Sequence, residues 1–159
     1  MIILGIDPGY ERVGIAILQK EKGAKKETIL YSNCFKTSAK LNLPERLLLI
    51  GKELEDVIKK WKPEKLSIEK LYFEKNQKTA MGVSEARGAI IYVCKSFGLE
   101  ILEYTPLQIK NAVTGYGKAT KQAVYDMVSK LVELPKGVKQ DDEIDAIAVA
   151  ITGFAHEKI

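Results

Sequence analysis

The sequence predicts an α/β domain in which a mixed sheet, antiparallel at one edge, is covered by helices. Two observations lead there. Apolar runs at 1–6 (MIILGI), 13–18 (VGIAIL) and 28–35 (TILYSNCF) follow one another across short polar segments, as hairpin strands do. After residue 44 the pattern changes: stretches of helical period alternate with two further short apolar runs, KLSIE at 65–69 and LEILEY at 99–104.

Each element has its own signal. MIILGI is continuously apolar, and the GYER segment after it is short enough for a hairpin into the β-branched run VGIAIL. The polar turn QKEKGAKKE leads to the third strand. Pro44 opens a helix whose apolar residues Leu47, Ile50, Leu54, Val57, Ile58 and Trp61 recur at helical spacing, and Pro63 stops it. KLSIE is the fourth strand. A helical pattern then runs from about Gln77 to Phe97 and ends at Gly98, before the fifth strand. Thr120 caps a helix carrying Val124, Met127, Val128 and Leu131. A last helix begins in QDDEID and continues through AIAVAI.

With 159 residues, 46% of them apolar, the chain fits one domain spanning 1–159 and builds its core without disulfides. Cys34 and Cys94 lie inside apolar runs, lack metal-ligand spacing, and read as buried, reduced thiols. The apolar start is too short for a signal peptide, and nothing approaches the ~20 apolar residues of a membrane span, so a cytoplasmic protein is expected. A net charge of +4 says little about nucleic acid; the placement of the lysines has to decide that.

Four carboxylates stand out. Asp7 ends the first strand, followed at once by Pro8 and Gly9, and Glu69 ends the fourth. Asp142 and Asp145 are three residues apart near the start of the last helix, on one face of it. Each has an ordinary reading by itself: a turn-forming Asp before Pro-Gly, a surface strand end, acids favoured by a helix N-terminus. Asp145 is the hardest to read that way, beside the inward IAVAI run. If the first and fourth strands are neighbours, all four converge, and such a cluster repels itself and raises its own pKa values. Hard oxygen donors of this kind suit Mg²⁺ or Mn²⁺, and two ions about 4 Å apart form a clamp for phosphodiester displacement.

Basic and aromatic residues surround the acids. After Glu69, Lys70, Lys75 and Lys78 are interleaved with Tyr72 and Phe73, a combination suited to base stacking and phosphate neutralisation, although Phe73 also fits the core. In QIKNAVTGYGKATKQ, Lys118 and Lys121 flank the helix start at Thr120, where cations oppose the helix dipole unless an anion binds there; Lys110 joins the same patch. A plain solvated basic loop is the alternative.

These motifs together resemble the RuvC family of bacterial Holliday-junction resolvases, nucleases of the RNase H-like superfamily. The resemblance rests on GIDPG at the start, LPERL at 43–47, IEKLYFEKN at 68–76, SEARG at 84–88, QIKNAVTGYGKATKQ at 108–122, LP at 134–135 and DEIDAIAVAIT at 142–152. It implies an RNase H-like fold: a five-stranded mixed sheet, its first three strands antiparallel, with helices on both faces. It implies that Asp7, Glu69, Asp142 and Asp145 are the catalytic, metal-binding carboxylates, holding two Mg²⁺ ions for which Mn²⁺ substitutes. Tyr72 falls on the base-stacking position, where Phe is more familiar, and Lys110 and Lys121 on substrate-contacting lysines. Some members carry His where this chain has Asp142. The implied activity is resolution of four-way DNA junctions by paired nicks, in recombination and repair, leaving 5′-phosphate and 3′-hydroxyl ends. The implied partners are a second copy of the chain and the branch-migration motor proteins. AIIYVC at 89–94, apolar nearly all round its helix, agrees with a subunit interface but also with a helix sandwiched in its own domain.

Two other classes share parts of this pattern. An actin-like or sugar-kinase-like ATPase also uses a strand–Asp–x–Gly turn, but 159 residues leave little room for its second domain. A non-catalytic junction- or RNA-binding relative would bind without cutting, and the intact acidic quartet argues against it.

Overall fold

The structure, a computed structural model, describes residues 1–71, 77–135, 137–138 and 141–157, without the side chains of Gln77 and Lys78. In chain order the elements are β1 (Ile2–Asp7), β2 (Arg12–Gln19), β3 (Thr28–Lys36), α1 (Leu43–Trp61), β4 (Lys65–Glu69), α2 (Gln77–Ser96), β5 (Glu100–Tyr104), α3 (Pro106–Thr114), α4 (Lys121–Leu131) and α5 (Asp141–His156). The sheet order is β3-β2-β1-β4-β5. β1–β2 and β2–β3 are antiparallel, whereas β1–β4 and β4–β5 are parallel.

The mixed sheet with an antiparallel edge is therefore as the sequence predicts. One helix, α3, was not in the pattern. It is nine residues long and buries only Ile109 and Val113, too few apolar positions to establish a period. Its signal is local: Thr105 is the N-cap in a reciprocal capping box with Gln108, Pro106 follows, and Gly115 closes the helix at φ 74. α1 starts in the same way, on an Asn42–Glu45 capping box.

The sheet separates two cores. Leu4, Ile6, Ile15, Ile17, Leu66 and Ile68 face α1 and α2 and meet Ile50, Leu54, Ile90 and Cys94. On the other face, Ile3, Ala16 and Leu18 meet α5, with α3 and α4 outside it. Each fully buried Leu or Ile contributes about 1.5–3 kcal/mol. α5 is buried from Ile144 to Phe154, save for Asp145, because it is covered by the sheet on one side and by α3 and α4 on the other.

Two glycines let α5 lie directly on the strands. A Cβ on Gly5 would stand 2.3 Å from the Ala146 carbonyl oxygen, and one on Gly14 would stand 2.0 Å from that of Asp142. The Ser67 hydroxyl, fully buried, donates to the Val149 carbonyl at 2.6 Å and ties β4 to the same helix. These contacts fix where the first turn of α5 presents its acids.

Candidate active site

Parallel pairing aligns Ile6 of β1 with Ile68 of β4, so the next residues, Asp7 and Glu69, end adjacent strands at the same edge of the sheet. The neighbouring strands supposed from the sequence are thus real. α5 begins above this edge, and a cleft of about 320 Å³ gathers Asp7, Glu69 and Asp145 with Lys110 of α3 and Lys121 of α4. Asp142 stands on the other side of Asp7, in a more open cleft of about 300 Å³ that also touches Tyr10, Arg12 and Thr79. A larger cavity of about 720 Å³ lies at the opposite end of β3, by Thr28, Ile29 and Leu134. Its charges, Lys26, Glu27, Lys130 and Glu133, are of mixed sign. Convergent acids, not volume, mark the site.

Burial and mutual repulsion show in the acids' proton affinity. Asp7 is pushed from 3.8 to about 8, first by burial and then by the charges of Asp145, Glu69 and Asp142, with Lys121 opposing. Glu69 is pushed from 4.5 to about 7 by burial and then by Asp145, against Lys110 and Lys121. Asp145 is raised as well, chiefly by burial, while Lys121 pulls the other way. The Lys121 Nζ lies 3.9 Å from Asp145 and 3.7 Å from Asp141.

A stability prediction follows from these shifts. Both carboxyls hold their protons to higher pH in the folded chain than in the unfolded one. Between pH ~4 and ~8 the folded chain therefore carries the extra protons, and stability falls as pH rises. The cleft is open to water, so the loss is on the order of 2–4 kcal/mol, or roughly 5–10 °C in melting temperature between pH 5 and 8.5. Calorimetric scans without divalent cations at the two pH values measure it, and a flat profile would count against the cluster.

The donor set fits a divalent cation. It is all carboxylate, partly desolvated, and its repulsion is what bound positive charge relieves. Among the described residues, no three His, Cys, Asp or Glu side chains stand close enough to grip one ion together. Asp142 in particular is held elsewhere. Its Oδ2 is ion-paired with the Arg12 guanidinium and accepts a hydrogen bond from the Cys34 Sγ at 3.5 Å. The face shared by Asp142 and Asp145 in the helix is thus divided between two clefts.

Of the basic and aromatic candidates, Lys110 and Lys121 line the cleft and Lys118 is exposed outside it. Tyr72, Phe73 and Lys75 lie outside the described residues, as does the side chain of Lys78. Two arginines at the site carry no sequence signal that sets them apart. Arg87, inside the SEARG motif, donates from Nε to the Glu69 carbonyl at 2.9 Å and pairs with Glu103, holding the end of β4 against α2. Arg12 sits in the GIDPGYERVG stretch itself; its proximity to Asp142 depends on the β1–β2 hairpin register and on how α5 packs.

A β3-β2-β1-β4-β5 sheet, with acids ending its two central parallel strands and a third supplied by the last helix, defines an RNase H-like protein. Residues 3–153 match the sequence family described as "Crossover junction endodeoxyribonuclease RuvC". A curated relative of that name from Ruminiclostridium cellulolyticum is 44% identical over 151 residues, 95% of this chain and 90% of its own. One from Petrotoga mobilis is 46% identical over 156 residues, 98% and 93% of the two chains. The solved structure of Thermus thermophilus RuvC in complex with a Holliday junction substrate superposes with a TM-score of 0.88 at 31% identity, covering 96% of this chain and 92% of that one. This chain belongs to the RuvC family.

Proposed function

We propose that the chain is a divalent-metal-dependent endonuclease that resolves four-way DNA junctions by paired, symmetric nicks. The observation that carries this is the enforced pairing of Asp7 with Glu69 at one sheet edge, opposite Asp145 and rimmed by Lys110 and Lys121. The names of its relatives, crossover junction endodeoxyribonucleases, supply the substrate class.

Asp7, Glu69, Asp142 and Asp145 are the residues to hold the metal, and two Mg²⁺ ions, or Mn²⁺ in their place, supply water activation and charge neutralisation there. Asp7 borders both clefts and would be the residue able to serve both ions. Lys110 and Lys121 position the strand through its phosphates, and Lys118, Lys75 and Lys78 extend that contact along the backbone. Tyr72 stacks on a base exposed at the junction. In-line attack of water at phosphorus with departure of the 3′ oxygen leaves 5′-phosphate and 3′-hydroxyl ends that can be resealed.

Two nicks need two sites. Tyr92 and Met81 of α2 are 75% and 66% exposed, Leu48 of α1 is 58% exposed, and Leu49 and Phe97 add to this apolar surface. α1 and α2 pack side by side, so a second copy docked about a two-fold axis covers that face and gives a homodimer. Motor proteins that drive branch migration are the further partners, on family grounds alone. Among the described residues no helix is long and apolar enough to cross a membrane.

A synthetic four-way junction incubated with the protein, with and without Mg²⁺, tests the reading: Mg²⁺-dependent nicks at symmetric positions are expected. Junction binding without cleavage would favour the non-catalytic relative. Lys121→Ala is expected to weaken binding and to lower the slope of log K against log salt by about 1, because one phosphate contact is lost. An unchanged slope in a salt titration removes Lys121 from the contact list.

A further inference from the structure

Asp142 already has a partner. The Arg12 guanidinium pairs with its Oδ2, on which the Cys34 thiol also donates. This pair is held by framework rather than by chance. Arg12 opens β2, two residues before Gly14, and the Asp142 carbonyl oxygen rests directly against Gly14. The turn that delivers Arg12 is tied down: Thr37 donates from its hydroxyl to the Tyr10 carbonyl at 2.6 Å and from its N–H to that of Glu11 at 3.0 Å. The buried Arg46 guanidinium lies 5.5 Å from the Tyr10 ring centroid and 3.5 Å from the Glu11 carboxylate. Arg12 is nonetheless half-exposed, on the rim of the cleft that Asp7 and Asp142 share.

We propose that Arg12 is an exchangeable counter-ion: it holds Asp142 until a divalent cation takes that carboxylate, and is then transferred to a phosphate of the DNA strand. The inference rests on the nuclease reading above. A guanidinium fork matches carboxylate and phosphate equally well, so the exchange needs no new geometry at the arginine. A dication brought to Asp142 repels the guanidinium, and a phosphate in the adjoining cleft attracts it. Each event therefore favours the other, and by linkage the coupling is reciprocal: metal tightens DNA, and DNA tightens metal. Before DNA arrives, Arg12 competes with the cation and disfavours loading of the free protein.

The test uses the intact protein and Mn²⁺ alone, by isothermal titration. Arg12→Gln is expected to bind Mn²⁺ at least about five-fold more tightly than wild type, the lower end of usual coupling factors. On an Asp142→Asn background the same substitution is expected to change nothing, which a merely structural arginine would not produce. Junction anisotropy in EDTA and in Ca²⁺ gives a second readout: the gain in affinity from Ca²⁺ shrinks several-fold in Arg12→Gln. Arg12→Lys keeps the charge without the fork, and is expected to fall between; it serves if Arg12→Gln does not fold. Equal or weaker Mn²⁺ binding in the arginine variants, with wild type binding normally, overturns the exchange alone. Wild type that takes up no Mn²⁺, with or without junction, overturns the nuclease reading and this inference with it.

Discussion

Asp7→Asn is expected to be inactive on a four-way junction and, at pH 8, more heat-stable than the parent protein. The two effects have one cause. Asp7 is pressed by burial and by the charges of Asp145, Glu69 and Asp142, and this pushes its pKa to about 8. The amide keeps the shape and removes the repelling charge, so folding gains on the order of 1–3 kcal/mol at pH 8, roughly 3–10 °C in melting temperature. Near pH 4 the folded-state carboxyl is protonated and the gain nearly vanishes, so the gap between the two proteins widens as pH rises. Catalysis responds in the opposite sense. On the proposed reading, in which Asp7 serves both cations, its loss removes several kcal/mol of transition-state stabilisation, a loss of about 10³-fold or more in cleavage rate. Junction binding in EDTA is unchanged or tighter, because less negative charge faces the phosphates. Gel cleavage assays, anisotropy and calorimetry at pH 5 and 8.5 read the three quantities. A variant that loses binding in EDTA together with cleavage, or melts lower at pH 8, would show Asp7 to be a structural turn residue.

Some of this is legible in the sequence alone. An apolar strand that terminates on an acid is a local anomaly, and both Asp7 and Glu69 announce themselves in that way. Their adjacency is not local: it requires β4 to insert next to β1, which the order of elements permits but does not demand. The division of Asp142 from Asp145 was hidden for the same reason. Helical spacing puts them on one face, yet the partners that separate them, Arg12 and Cys34, come from β2 and β3, more than 100 residues away in the chain for both. Lys110 and Lys121 reach the cleft from two helices, while Lys118, in the same basic segment as Lys121, does not line it. Composition treats the three alike; only the docking of α3 and α4 on α5 sorts them. The missed helix α3 shows the converse case, a short element whose capping residues say more than its apolar period.

Gly14→Ala is expected to damage the enzyme without touching a functional group. The added methyl would stand 2.0 Å from the Asp142 carbonyl oxygen, 2.7 Å from its carbonyl carbon and 3.2 Å from the Ala146 Cβ. Backbone atoms cannot rotate aside, so the first turn of α5 has to lift from β2. Overpacking of this kind costs about 1–3 kcal/mol, and the melting temperature drops by roughly 3–10 °C. The displaced turn carries both Asp142 and Asp145, and a shift of about 1 Å in such groups costs around 10²-fold in rate. Lys110 and Lys121 sit on α3 and α4, so junction affinity falls far less than activity. Gly51→Ala in the middle of α1 is the matched control: its Cβ would meet Val93 at an ordinary 3.7 Å, and helix propensity favours it by up to about 1 kcal/mol. Cleavage rates and melting curves for the two variants separate the cases. Parental activity and stability in Gly14→Ala would mean that the close contact between β2 and α5 is not what sets the acids in place.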